Sequence, residues 1–136
     1  MDWKLEVVVV PVSDVDRAKD FYSERVGFVV DVDHRPSESF RVVQLTPPGS
    51  ACSITIGKGL GDSPPGSLKG LQLVVSDLAA AHAELVARGV DVTPIRHLED
   101  GAWADGSGGP WNSFLFFDDP DGNSWAVQER PVGDAS

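Results

Sequence analysis

Val12-Ser13-Asp14, near the start of the chain, and Val75-Ser76-Asp77, past its middle, are the same phrase written 63 residues apart. The interval holds from the serines to Arg25 and Arg88, then shortens by one at Gly27 and Gly89, because the first copy carries an extra residue, Val26. Each phrase follows an apolar run and opens a stretch of helical periodicity. Val15, Ala18, Phe21 and Tyr22 fall on one helix face, with Asp16, Arg17, Lys19 and Asp20 on the other. Leu78, Ala81 and Leu85 do the same in the second copy. Ser13 or Asp14 can cap the first helix, and Gly27 can end it in a left-handed conformation. A second apolar run follows each helix, Phe28-Val29-Val30 and Val90-Asp91-Val92. A strand–helix–strands unit written twice implies a pseudo-symmetric α+β fold, with its chemistry in the groove between copies.

Outward from that repeat, the first copy predicts strands over Leu5–Val12, Phe28–Asp33, Phe40–Thr46 and Ala51–Gly57, and a helix over Asp14–Arg25. Five glycines and two prolines between Gly57 and Gly70 mark a link between halves. The second copy predicts strands at Leu71–Val75 and Val90–Ile95 around a helix over Asp77–Arg88. His97–Pro110 then reads as a long Gly/Asp-rich loop carrying Trp103. A strand begins near Trp111 and runs through Phe117, Asp119–Asn123 is a tight turn, and Ser124–Glu129 closes the fold. The expected organisation is one domain over 1–136: a module at about 4–58, a linker at 59–69, a module at about 70–130, and a frayed tail at 131–136.

Eleven basic against twenty-one acidic side chains give a net charge of −10. That sign excludes nucleic acid as a partner, since phosphate binding needs basic surface. It serves solubility, or attracts a cationic small molecule. Cys52 is the single cysteine, so no intrachain disulfide forms. The start of the chain lacks the pattern of a signal peptide, and no apolar run reaches the roughly 20 residues of a membrane span. A soluble, cytoplasmic protein without membrane contact is expected. Gly57-Lys58-Gly59-Leu60-Gly61 has the wrong spacing for a dinucleotide loop and no helix pattern after it.

Pro11-Val12-Ser13-Asp14-Val15-Asp16-Arg17-Ala18 with Phe21-Tyr22 and Val26-Gly27-Phe28 resembles the first module of the vicinal oxygen chelate superfamily, which includes glyoxalase I, extradiol dioxygenases and bleomycin-resistance proteins. Val75-Ser76-Asp77-Leu78, Leu85-Val86-Ala87-Arg88-Gly89-Val90 and Asp119-Pro120-Asp121-Gly122-Asn123 resemble the second. The resemblance covers nearly all of Leu5 to Arg130. It implies two βαβββ modules whose curled mixed sheets form an open cup with helices on the convex side, and a chain that pairs as a homodimer. Metal-dependent members carry a His seven residues before the helix-starting Asp, and a Glu seven residues after the first Asp of the turn. By that rule the metal positions here are Val7, Gly70 and Ala126, with Ser53 matching Ala126 in the first module. These residues do not make a divalent cation site, so no metal and no other cofactor is expected.

Alternation anchored on those positions gives Val7, Val9, Ser53, Thr55, Gly70, Gln72, Val74, Ala126 and Gln128 as the cup lining. His34-Arg35 and Arg96-His97 stand at matching places beyond the second strand of each copy. They read either as exposed strand ends or as a polar rim able to titrate near neutrality. Trp103 and Trp111 flank a glycine-rich stretch, the glycines at 101, 106, 108 and 109 free the backbone around them, and the two rings can close over a flat ligand as a lid, or serve packing. Trp125 should face the helices, His82 the solvent, and Cys52 the helix layer from within its strand. No nucleophile–base pair is readable. Three functions stay open: a metal-independent protein of the bleomycin-binding type that sequesters an aromatic or cationic small molecule; a lyase, isomerase or dioxygenase with a displaced metal site or none; and a dimerising or regulatory domain.

Overall fold

A computed structural model of the chain describes residues 1–132; the end of the tail expected to fray lies outside the described residues. The chain divides into two compact units. The first is Met1–Leu68 together with Asp119–Asn123, and the second is Lys69–Asp118 with the chain from Ser124 onward.

The first unit runs β1 (Val7–Val9), α1 (Val15–Asp20), a π-helical turn (Phe21–Val26), β2 (Val29–Ser37), β3 (Phe40–Thr46) and β4 (Ser53–Lys58). Its sheet has the order β1-β4-β3-β2, with β1 parallel to β4 and the other pairs antiparallel. The second unit runs β5 (Leu71–Val75), α2 (Leu78–Ala87), β6 (Arg96–Glu99), β7 (Ala102–Asp105), β8 (Phe114–Asp118) and β9 (Ser124–Glu129). Its order is β5-β9-β8-β6-β7, again with one parallel pair, β5 and β9. Without β7 the two orders are the same. The repeated phrase is therefore a repeated topology, with one strand added at an edge of the second sheet.

The phrase works in the same way twice. The carboxylate of Asp14 accepts from the amide of Arg17, and that of Asp77 from the amide of Ala80, each satisfying a helix N–H that has no intrahelical partner. The extra Val26 of the first copy is absorbed as the π-helical turn. Gly27, at φ 92°, and Phe28 both donate to the carbonyl of Tyr22, so the chain leaves the helix through the same glycine geometry as Gly89 at φ 82°. One face of each sheet carries the core. Val10, Ala18, Tyr22, Phe28, Val43, Leu45, Ile54 and Ile56 fill the first, and Leu78, Leu85, Val90, Leu115, Phe117, Trp125 and Val127 the second. α1 packs against β4, and α2 against β8 and β9, leaving each sheet one helix-free face.

Four expectations are corrected. The first strand is three residues rather than eight. Pro11 has no N–H to give, and Val10 makes the last ladder-like bond, to the carbonyl of Thr55. Residues 90–95 form no strand. Thr93 meets Phe116 once, through its amide and, in place of its carbonyl, its hydroxyl, before Pro94 turns the chain away. Cys52 precedes β4 rather than lying within it, and is half-buried. His97–Pro110 is not a loop throughout, because residues 96–105 form the β6–β7 hairpin. Asp100 at φ 52° and Gly101 at φ 81° make its two-residue turn, the left-handed pair whose twist matches that of the strands.

Candidate functional site

Residues paired directly across strands share a face, so the register sorts every candidate side chain. In the first unit Val7 pairs with Ser53, Val9 with Thr55, Gln44 with Thr55, and Val32 with Gln44. These residues, with Val42, Thr46 and His34, form the helix-free face. In the second unit Gln72 pairs with Ala126, Val74 with Gln128, Phe116 with Ala126, and Phe114 with both Gln128 and Arg96. Leu98 pairs with Trp103 two positions further along β6, which puts both on the same helix-free face.

Trp103 therefore stands on a strand. Its ring meets Phe114 and Phe116 edge-on, with centroids 5.4 Å and 5.1 Å away, while the two phenylalanine rings lie nearly parallel. These are the offset and edge geometries that aromatic quadrupoles favour. Trp103 remains 48% exposed, so the cluster holds one edge of the indole and offers the rest to solvent. Beside it runs a chain of amides. Gln72 donates to Gln128, and Gln128 donates to the carbonyl of Trp111 at 2.7 Å. Trp111 is placed for this by a left-handed backbone at φ 61°.

The hairpin under Trp103 is tied down from the following segment. The Asn112 side chain accepts from the Leu98 amide and donates to the Leu98 carbonyl, both at 2.8 Å, imitating a strand partner. His97 Nδ1 meets the carbonyl of Gly106 at 2.8 Å, and Nε2 meets Glu99 at 3.2 Å. The Gly106 carbonyl, and after it Glu99, raises the His97 pKa. Gly108 packs so closely that a side chain there would strike the Asn112 backbone. The freely moving lid expected from the glycines is replaced by a braced strand.

The remaining sequence candidates separate. His34 is exposed on the helix-free face of the first sheet, whereas Arg35 lines a small recess on the helix side with Val15, Ser37, Glu38, Arg41 and Lys58. Arg96 faces Phe114, and His97 points the opposite way. Each His/Arg pair is thus split between two faces rather than forming one rim. His82 is half-buried on α2, and Trp125 lies in the core stacked on Phe117. Arg41, on the helix side, is an ion-pair centre the sequence reading missed. Its guanidinium binds Asp33 twice and Asp16 once; with Lys19, it holds the Asp33 carboxyl far below its usual range.

The positions that would bind metal by family rule do not fit one. Register shifts one of them: Val9 pairs with Thr55 as Gln72 pairs with Ala126, so Thr55 rather than Ser53 is the counterpart of Ala126. Val7, Thr55, Gly70 and Ala126 offer one hydroxyl between them, and among the described residues no three His, Cys, Asp or Glu side chains come together. The turn at Asp119–Asn123 is also closed to a cation. The Asp119 carboxylate accepts from the amides of Asp121 and Asn123, the Asn123 side chain and the Tyr22 hydroxyl. A groove of about 380 Å³ lies between the end of β1 and the glycine-rich segment 57–65, but Lys58 is its only charged lining residue. Polar groups converge on the sheet faces instead.

Residues 4–127 match the model of the glyoxalase/bleomycin resistance protein/dioxygenase superfamily. The chain belongs to this superfamily. Among solved structures it is similar to TnmS3, an antibiotic binding protein from Streptomyces sp. CB03234, at 36% identity over 95% of this chain and 97% of that one, with a TM-score of 0.75. A glyoxalase/bleomycin resistance protein from the same organism is 37% identical over 92% and 99% of the two chains, with a TM-score of 0.72. A superfamily member from Sphaerobacter thermophilus DSM 20745 is 27% identical over 95% and 98%, at 0.75. A search of curated protein sequences returned no match. Membership accounts for the repeated topology, while sites within one fold vary in chemistry.

Proposed function

We propose that this member of the superfamily is a metal-independent binding protein that sequesters a flat aromatic or cationic small molecule, and that it acts as a homodimer. The observation that carries this reading is Trp103, half-exposed on a braced strand over Phe114 and Phe116, beside the amides of Gln72 and Gln128. A rigid aromatic surface with a few polar groups beside it is the usual make-up of a small-molecule site. The net charge of −10 adds attraction for a cation. The similarity to an antibiotic binding protein supports the same class of activity.

The test is a titration with neutral naphthalene and anthracene probes, followed by tryptophan fluorescence and by ligand-induced thermal shift. Trp103→Ala should weaken binding by about 1–2 kcal/mol, roughly ten-fold, while the protein still folds. Undiminished affinity in that variant would remove the aromatic platform from the function.

A further inference from the structure

The helix-free face of the first sheet carries a polar chain that its strand-forming role does not require. The Thr46 hydroxyl bonds the carboxylate of Asp31, Thr46 Oγ1 lies 2.6 Å from Ser53 Oγ, and Gln44 Nε2 reaches Ser53 Oγ at 3.5 Å. The direction of its protons follows from chemistry. An ionised carboxylate only accepts, so Thr46 spends its proton on Asp31. Thr46 Oγ1 must then accept from Ser53, and the Ser53 proton is spent in turn. What Ser53 and the Gln44 carbonyl still present are lone pairs.

Thr55 completes the group. It pairs with both Gln44 and Val9, is 7% exposed, and its hydroxyl has no hydrogen-bond partner among the described residues. No buried side-chain polar atom in the described chain lacks a partner, so the small exposed part of Thr55 includes that hydroxyl. A residue more than nine-tenths buried thus opens its one polar atom onto this face, between Gln44 and the exposed side chain of Val9.

We infer that Ser53, Gln44 and Thr55 form a subsite for a protonated amine, whose charge is matched by Asp31 through Thr46. An ammonium brings only donors, and this face offers chiefly acceptors backed by a carboxylate. A carboxylate or phosphate would meet the wrong sign and too few donors. A divalent cation would find one carboxylate and a few hydroxyls, short of its ligand set. Val7 and Val9 supply apolar surface beside the amine for the carbon skeleton that carries it. The inference rests on the reading that this protein binds a small molecule. It adds which charged group the first unit selects.

The experiment compares 1-(aminomethyl)naphthalene with 1-(methoxymethyl)naphthalene, a neutral probe without donors, by equilibrium titration at low salt. Wild type should favour the amine by about ten-fold, the scale of one charge-assisted hydrogen bond. Thr46→Val and Ser53→Ala each break the chain without altering net charge, so a preference caused merely by the acidic protein would survive in them. The amine-to-ether ratio should fall to within about two-fold in both, with circular dichroism confirming the fold. A ratio that stays at its wild-type value in both variants, or no preference in wild type, overturns the subsite. Trp103→Ala separates this from the underlying reading. Unchanged ether binding there, with the amine preference intact, rejects the aromatic platform and leaves the subsite standing. Weakened ether binding without amine preference does the reverse, and failure of both probes to bind wild type rejects both.

Discussion

Tyr22 shows how much of the fold rests on single side chains. It is fully buried, stacks on Phe28, and its hydroxyl donates to Asp119 at 2.7 Å. The carboxylate it meets is 5% exposed and accepts from further donors, two of them amides of its own turn. Asn123 closes the arrangement, donating to Asp119 and to the carbonyl of Pro11 while accepting from the amide of Leu68. Tyr22→Phe keeps the ring and removes one donor from a buried carboxyl group, which should cost about 1–3 kcal/mol. At roughly 4 °C per kcal/mol the melting temperature should drop clearly. A loss under about 0.5 kcal/mol in urea denaturation would mean that the other donors suffice. The turn itself was legible, since Asp-Pro-Asp-Gly-Asn has turn chemistry at every position. Its buried partner was not, because a tyrosine at helical spacing reads as packing. The hydroxyl's destination lies 97 residues away. Gln44 and Thr46 escape a sequence reading for a similar reason: alternation anchored on the family's metal positions reaches β1, β4, β5 and β9 but not β3.

At the scale of the element, the one-residue mismatch between the two copies was visible as Val26, and the π-helical turn is its physical form. The β6–β7 hairpin departs most from the expected loop, although its signal is present in the sequence. Asp100-Gly101 is the dipeptide that a two-residue hairpin turn favours, but the glycines beyond it made the segment look like a loop. That element also carries a pH dependence. His97 bonds the Gly106 carbonyl and Glu99, and because a neutral imidazole has one N–H, only the protonated ring can donate to both. Its pKa is raised in the fold, by the Gly106 carbonyl first and Glu99 second. The contribution is therefore fully present below the unfolded value of about 6.5 and is lost as pH rises through the higher folded value. The difference in melting temperature between wild type and His97→Asn should be largest near about pH 5.5 and shrink toward about pH 8.5. A difference independent of pH would show that His97 braces the hairpin only by its shape.

For the whole molecule, the repeat disclosed the topology of both units, the two helices and the superfamily. It could not disclose what the helix-free faces meet, because alternation assigns a side chain to a face without saying what covers that face. The exposures bear on this. Val7, Val9, Val29, Val32 and Phe40 in the first unit, and Val74, Leu98, Trp103 and Trp111 in the second, are all at least one-third exposed. Single exposed apolar residues are ordinary, but those on β1 and β2 and those on β5, β6 and β7 gather on the open sides and outer strands of the two sheets. Terminal strands also present unpaired backbone groups, and little charge guards β1, which is three valines. A second copy offers the same surfaces in return, and a twofold pairing closes after two chains rather than growing into a filament. The expected solution species is therefore an isologous homodimer. Light scattering at micromolar concentration should give twice the 14.5 kDa chain mass, and dilution should lower it together with tryptophan burial. A constant mass of 14.5 kDa through that range would show that the chain keeps these faces open alone, and the apolar surface would then have to be assigned to ligand binding.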